Sequence, residues 1–122
     1  MTMLQRASKL IAGMFMLVTA TFATANESAA EIPDNAIWLD VRSLEEYKSG
    51  HVDGALNIPH TKIEDQILGI VPDKDTPVYL YCRSGHRSNI ALNKMKELGY
   101  TNLQNVGGLN DAREFLKESE KE

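Results

Sequence analysis

The feature that most constrains the fold is a buried-strand pattern that runs through a short glycine-containing loop into a helical pattern. Residues 77–81 (PVYLY) have the length, flanks and β-branched and aromatic content of a buried strand. After the loop at 82–87 (CRSGHR), residues 88–98 place apolar side chains at helical spacing, and Gly99 ends the pattern. A strand, a tight loop and a helix in this order are typical of an α/β fold, with the loop at the carboxyl end of the strand.

Strand and helix patterns alternate along the rest of the chain as well. The predicted strands are residues 36–41, 54–59, 77–81 and 103–106, and the predicted helices run from Ser43 to near Gly50 and over residues 61–71, 88–98 and 111–117. This alternation predicts an α/β fold in which helices cover both faces of a parallel sheet, a three-layer α/β/α arrangement. Side chains that follow the strands then share one edge of the sheet, which is where ligands bind in such folds.

The first 25 residues differ in composition from the rest of the chain. They contain no acidic residue and combine Arg6 and Lys9 with an apolar run over 10–18 and an A-x-A sequence that ends at Ala25. This pattern predicts a secretory signal peptide that is cleaved after Ala25, because the apolar run is shorter than the roughly 20 residues that span a bilayer. An uncleaved anchor and a buried N-terminal helix remain as alternatives. Residues 26–122 would then form one domain in the periplasm.

Charge and cysteine content narrow the classes of partner. Loss of residues 1–25 removes two cations and no acid, which changes the formal net charge from −4 to −6. Such an acidic chain argues against nucleic acid or an anionic membrane surface as the main partner, and we expect a monomer without stable membrane association. Cys82 is the single cysteine, so no internal disulfide can form. In an exported protein an odd cysteine is either linked to another molecule or a reactive thiol.

The loop that contains Cys82 has several features that stabilise a negative charge. A short loop between a strand and a helix can curl so that backbone N–H groups point inward, and Gly85 permits the positive φ that such a curl requires. The following helix adds the partial positive charge of its N-terminus, and Arg83 and Arg87 flank the cysteine. These features predict a lowered pKa for Cys82 and therefore a nucleophilic thiolate. The alternative is a buried structural cysteine.

Six segments of the chain resemble the rhodanese family, and they occur in the family's order. They are residues 39–42 (LDVR), 46–47 (EY), 50–55 (GHVDGA), 57–59 (NIP), 81–88 (YCRSGHRS) and 107–108 (GG). With the predicted signal peptide, the chain is similar to the exported single-domain thiosulfate sulfurtransferases of that family. The resemblance implies a small rhodanese-like domain with a central parallel sheet of four to five strands. Family domains usually begin with an additional strand, whereas only residues 26–35 precede the first strand here.

The resemblance also implies a sulfurtransferase mechanism. Cys82 would attack the outer sulfur of thiosulfate, release sulfite and become a persulfide, from which cyanide or another thiophilic acceptor takes the sulfur. The residues assigned to substrate binding are Arg83, Ser84, Gly85, His86 and Arg87, and those assigned to support of the loop are Asp40, Arg42 and Ser88. Asp40 and Arg42 could instead form an ordinary surface ion pair, and His86 could simply face solvent. No metal or organic cofactor is implied.

Other functions of a loop cysteine remain as alternatives. Thiolate phosphatases and arsenate reductases place an arginine six positions after the cysteine, whereas Arg87 is five positions after Cys82 and Ser88 occupies the sixth. The shorter loop suits a single sulfur better than a tetrahedral oxyanion. A periplasmic persulfide carrier that serves a protein partner would need the same loop and stays open. A thiol–disulfide oxidoreductase is disfavoured because the chain has no C-x-x-C pair.

Overall fold

Four parallel strands form the centre of the fold in a computed structural model that describes residues 31–120. In chain order they are β1 (Ile37–Asp40), β2 (Leu56–Asn57), β3 (Val78–Cys82) and β4 (Leu103–Gly108), and they lie side by side as β2-β1-β3-β4. Each pairing between neighbours is parallel, as the alternation of strands and helices predicts. The predicted signal peptide lies outside the described residues.

Helices cover both faces of this sheet. They are α1 (Leu44–Lys48), α2 (Ile63–Ile70), α3 (His86–Glu97) and α4 (Leu109–Glu120), and a 3₁₀ turn at His60–Lys62 leads into α2. One core cluster contains buried residues of α2 and α3, and a second contains residues of α1 and α4. The predicted three-layer α/β/α domain is therefore confirmed, with four strands in the part of the chain that the structure describes. Within residues 31–120, no helix is both long enough and apolar enough to cross a bilayer.

Side chains of β3 alternate between the two core clusters. Val78, Leu80 and Cys82 point into the cluster that includes α2 and α3. Tyr81 belongs to the opposite cluster, and all five residues of the strand are buried. This period of two is the geometry of an extended chain between two packed layers. It places the Cys82 side chain on the same face as α3, the helix that follows its loop.

Strand β2 is shorter than the predicted strand at residues 54–59. The N–H of Ala55 bonds to the carbonyl of Val52 at 2.9 Å, so the chain is still in a turn at the predicted start of the strand. At the other end, Pro59 has no N–H to give to a ladder and leads into the 3₁₀ turn. The paired strand is therefore limited to Leu56–Asn57, and the N–H of Ile58 adds one further bond to the carbonyl of Asp40 at 3.0 Å.

Helix α3 begins two residues earlier than predicted. The sequence pattern starts the helix at Ser88, whereas the structure starts it at His86. Gly85, the N-cap residue, has a φ of 96°, and this left-handed conformation turns the chain into the helix immediately after the loop. His86 and Arg87 therefore belong to the first turn of a helix instead of to the loop.

Strand β4 continues through the paired glycines instead of ending at Val106. A register shift between β3 and β4 brings Gly107 opposite Tyr81 and Gly108 opposite Cys82. The extension could not be read from the pattern, because glycine in an isolated segment signals a turn. Its effect is to place the end of β4 directly beside the cysteine and its loop.

We expect Ile67→Ala to lower the free energy of unfolding by about 2 to 5 kcal/mol, the range for loss of a large aliphatic side chain from a packed core. Ile67 is fully buried on α2, whereas the next residue, Leu68, is 56% exposed. Leu68→Ala is therefore the matched control and should change stability by no more than about 0.5 kcal/mol. Urea unfolding measures both. Equal losses from the two variants would contradict the described orientation of α2.

Candidate active site

The thiol of Cys82 lies in a cradle of hydrogen-bond donors. The backbone N–H groups of Gly85 and Ser88 donate to its Sγ atom at 3.0 and 3.4 Å. The Ser88 hydroxyl lies 3.5 Å from the same sulfur. Ser88 is in the first turn of α3, where backbone N–H groups have no partner within the helix and are free to bind an anion. The structure thus brings two of the predicted site residues, Gly85 and Ser88, to a single sulfur atom.

Burial and hydrogen bonding have opposite effects on the ionisation of this thiol. Cys82 is 1% exposed, and burial, the largest single influence, raises its pKa. The Ser88 hydroxyl and the N–H groups of Ser88, Ser84 and Gly85 all favour the thiolate. Together they outweigh burial, so the pKa of Cys82 is lowered from its ordinary value. The site therefore favours a thiolate, which is the nucleophilic form of cysteine.

The paired glycines leave room for the loop to lie directly on the end of β4. A Cβ atom at Gly108 would collide with the carbonyl oxygen of Arg83. Gly107 has a φ of 104°, and a Cβ atom there would lie 2.6 Å from a carboxylate oxygen of Asp111. That carboxylate accepts a hydrogen bond from the N–H of Gly108 at 2.8 Å. The close approach of two backbones therefore requires glycine at position 108.

Two arginines beside the cradle converge on Glu46 of α1. Arg87 donates to both oxygens of its carboxylate, at 2.8 and 3.0 Å. Arg83 lies farther away, at 3.7 Å, and its side chain is 80% exposed. The hydrogen bond from Arg87 is the main reason that the pKa of Glu46 is lowered to about 2. Arg87 is thus bound by Glu46 of the same chain, whereas the Arg83 guanidinium is open to solvent and to an anionic ligand.

The ion pair between Asp40 and Arg42 is buried instead of lying on the surface. Asp40 is fully buried and Arg42 is nearly so, and the guanidinium donates to both carboxylate oxygens at 2.6 to 3.1 Å. The hydrogen bond to Asp40 is the main reason that the pKa of Arg42 is raised. Arg42 also donates to the carbonyl of Gly50 at 2.6 Å, so the pair ties the end of β1 to the turn after α1.

Ser84 and His86 have exposed side chains. Ser84 acts on the thiol through its backbone N–H, one of the groups that lower the pKa of Cys82. His86 opens α3 and its ring faces outward. Beside the loop lies a cavity of about 500 Å³ that Arg42, Glu46, Arg83 and Asp111 help to line. Residues 31–120 contain no cluster of three or more His, Cys, Asp or Glu side chains that could hold a metal ion.

The sequence and the fold both match proteins of one known family. Residues 24–114, more than half of the chain, match the rhodanese-like domain. The chain belongs to the rhodanese family. It is 45% identical over 74 residues to the thiosulfate sulfurtransferase PspE of Escherichia coli, a match that covers 61% of this chain and 71% of that protein. A solved structure of a rhodanese with anions from E. coli is 43% identical with a TM-score of 0.60, and the match covers 62% of this chain and 89% of that one.

The chain is also similar to a protein named as a sulfur carrier and not as a sulfurtransferase. The chain is 35% identical over 68 residues to the putative sulfur carrier protein YrkF of Bacillus subtilis, over 56% of this chain and 36% of that protein. Membership of the rhodanese family and the likeness to a thiosulfate sulfurtransferase support the prediction of a sulfurtransferase.

Two polar residues of this rhodanese site lie outside the predicted set. Glu46 forms a capping box with Ser43, a local pattern that marks the start of α1 but gives no sign of the contact with Arg87. Asn105, on β4, donates to the carbonyl of Gly85 at 3.0 Å and accepts from the Ser88 hydroxyl at 2.7 Å. No local sequence signal marks Asn105, because both partners lie in another segment.

We expect Glu46→Gln to lower the free energy of unfolding by about 1 kcal/mol at neutral pH, because the partly exposed ion pair with Arg87 is lost. Folding lowers the pKa of Glu46 from 4.5 to about 2, so the charged carboxylate stabilises the folded state. That contribution is complete above about pH 4.5 and is lost as the pH falls through about 2. Urea unfolding across this range should show the two proteins converge in acid.

Glu45→Gln is the control, since it removes the same charge from the same helical turn. Glu45 is exposed, and its side chain forms no ion pair with any residue in the range 31–120. Its substitution should cost less than half as much stability. An equal cost in the two variants would assign the effect to the charge of α1 instead of to the contact with Arg87.

Proposed function

We propose that this rhodanese transfers sulfane sulfur from thiosulfate to cyanide or another thiophilic acceptor through a persulfide on Cys82. The observation that carries the proposal is the cradle around Sγ. Donors at 3.0 to 3.5 Å lower the pKa of a thiol that burial alone would keep neutral. A buried cysteine of purely structural role needs no such donors, whereas a sulfur nucleophile is stabilised by them as the thiolate.

In the first step the Cys82 thiolate attacks the outer sulfur of thiosulfate. A bond forms between the two sulfur atoms while the sulfur–sulfur bond of thiosulfate breaks, and its electron pair leaves with sulfite. Arg83 lies at the mouth of the loop with an exposed guanidinium, so it is the group available to meet the anionic donor. Arg87 is bound to Glu46, so its role is to fix the first turn of α3, whose Ser88 N–H faces the sulfur.

In the second step an acceptor takes the outer sulfur of the persulfide. Cyanide or a thiolate attacks that atom, the bond to Cys82 breaks, and its electron pair returns to Cys82 as a thiolate. The products are thiocyanate or a persulfide of the acceptor. The N–H groups of Gly85 and Ser88 then receive the same anion with which the cycle began. Because the enzyme is modified between the two half-reactions, ping-pong kinetics follow.

The remaining site residues stabilise the thiolate or hold the surrounding backbone in place. The Ser84 N–H favours the thiolate, and Ser88 acts on the sulfur through both its backbone N–H and its hydroxyl. Asp40 and Arg42 fix the turn at Gly50 beside the cavity at the loop. His86 faces outward from α3, a position from which it could contact only a ligand bound outside the cradle. The proposed location is the periplasm, after cleavage of residues 1–25.

A second candidate is a persulfide carrier that hands sulfur to a protein partner. The observation in its favour is the likeness to a putative sulfur carrier protein. Carrier and enzyme share the first step and differ in the second, because a carrier holds its persulfide until the partner arrives. Phosphatase chemistry is disfavoured, because Arg87 is occupied by Glu46 and is not free to embrace an oxyanion.

We expect Cys82→Ser to abolish thiocyanate formation from thiosulfate and cyanide, with no loss of folded structure by circular dichroism. A serine hydroxyl fits the cradle but does not ionise near neutral pH and so cannot accept sulfur.

Intact mass spectrometry of the unmodified protein after exposure to thiosulfate should show the gain of one sulfur atom, which cyanide removes. The same spectrum shows whether the chain begins at Asn26. Retained turnover in Cys82→Ser would refute the mechanism.

We expect Arg83→Ala to raise the KM for thiosulfate by about tenfold with a smaller change in kcat, because one charged contact to the donor contributes about 1.5 kcal/mol. Steady-state kinetics in thiosulfate and in cyanide make the measurement. Arg113→Ala is the control, since it removes the same charge from an exposed position on α4 that does not line the cavity at the loop. An unchanged KM in Arg83→Ala would exclude this residue from donor binding.

A further inference from the structure

The side-chain amide of Asn105 has one fixed orientation. Its Oδ1 atom accepts from the N–H of Gly107 at 3.0 Å, and its Nδ2 atom donates to the carbonyl of Gly85 at 3.0 Å. A flipped amide would set donor against donor at Gly107 and acceptor against acceptor at Gly85, so the network itself determines which atom is oxygen. The oxygen therefore faces the Ser88 hydroxyl at 2.7 Å.

The Ser88 hydroxyl has one proton and three acceptors within reach. They are Asn105 Oδ1 at 2.7 Å, the Gly85 carbonyl at 3.1 Å and Cys82 Sγ at 3.5 Å. Because Asn105 Oδ1 can only accept, the shortest of these contacts is a hydrogen bond only when Ser88 donates to it. In that arrangement a lone pair of the Ser88 oxygen faces the sulfur, where it can accept the proton of a neutral thiol. A thiolate needs the opposite arrangement, with the Ser88 proton turned to the sulfur.

We propose that Asn105 is a positioning residue that competes with Cys82 for the Ser88 proton and thereby sets the balance between thiol and thiolate. While Asn105 holds that proton, Ser88 supports the neutral thiol. When the thiol ionises, the hydroxyl rotates and exchanges the bond to Asn105 for a bond to sulfur, and no covalent bond changes in Ser88. Asn105 therefore restrains ionisation, and its influence on the sulfur passes through Ser88 alone.

Charged groups near the thiol are left unchanged by this competition. The charged and titratable groups on the elements packed around it are Arg83 of the loop, His86 and Arg87 of α3, Glu46 of α1, the Asp40–Arg42 pair after β1, His60 of the 3₁₀ turn and Asp111 of α4. Arg87 interacts with Cys82 through its charge, and this interaction is present with or without Asn105. A change of pKa on substitution of Asn105 therefore reports the hydrogen-bond network.

The test is a titration of Cys82, which does not depend on any sulfur donor and so can fail or succeed apart from the proposed function. The full-length protein is titrated by its thiolate absorbance in the ultraviolet and by the pH dependence of its alkylation by iodoacetamide. Asn105→Leu removes the acceptor at similar volume and should lower the pKa of Cys82 by about half a unit to one unit, the size of one neutral hydrogen bond. Asn105→Ala replaces it if the leucine variant does not fold.

Two further variants make the result specific. Ser88→Ala should raise the pKa of Cys82, because the hydroxyl donor to sulfur is lost, and in that background Asn105→Leu should have no further effect. Gln104→Leu, at an exposed position on the same strand, should leave the pKa unchanged. No change or a rise in Asn105→Leu overturns the proposal, and so does a fall that persists when Ser88 is alanine, since Asn105 would then act through the Gly85 carbonyl or the backbone.

Discussion

The contact between the cysteine loop and the end of β4 is the constraint on which the site depends. Gly108 leaves room for the Arg83 carbonyl. Gly85 lies so close to Gly107 that a Cβ atom on residue 85 would be 3.4 Å from the Cα atom of Gly107. The loop is packed against this surface, and the N–H groups of Gly85 and Ser88 point at the sulfur. The register shift between Leu80 and Tyr81 brings the two glycines opposite Tyr81 and Cys82, directly beside the loop. A small domain thus uses backbone packing to position its reactive atom.

Charge at the site is balanced by partners from distant parts of the chain. Glu46, on α1, binds the Arg87 guanidinium, whereas the Arg83 guanidinium stays exposed to solvent. The sulfur itself is surrounded by neutral dipoles instead of by a cation in direct contact, and these dipoles overcome the cost of burial. The acidic character of the chain therefore does not prevent an anion from being stabilised at this one point.

Local patterns were sufficient to predict the architecture and the position of the loop that contains Cys82. Residues 77–81 and the loop that follows determine a strand, a turn and a helix from their own side chains, and the capping box at Ser43 does the same for α1. The contacts from Glu46 to Arg87 and from Asn105 to Ser88 could not be predicted, because they join residues that only the tertiary fold makes neighbours. For the same reason the predicted strand ended at residue 106, although pairing with β3 makes the two following glycines part of β4.

The depth of Cys82 has a consequence for what can react with it. A sulfur that is 1% exposed is accessible to the projecting outer sulfur of a small anion such as thiosulfate but not to the bulky disulfide of another protein, which needs in-line access to the attacking atom. A persulfide adds a sulfur–sulfur bond of about 2 Å and so moves the transferable atom outward. In the proposed cycle the depth of the sulfur would therefore hide the resting thiol from large oxidants and present the outer sulfur of the persulfide to acceptors.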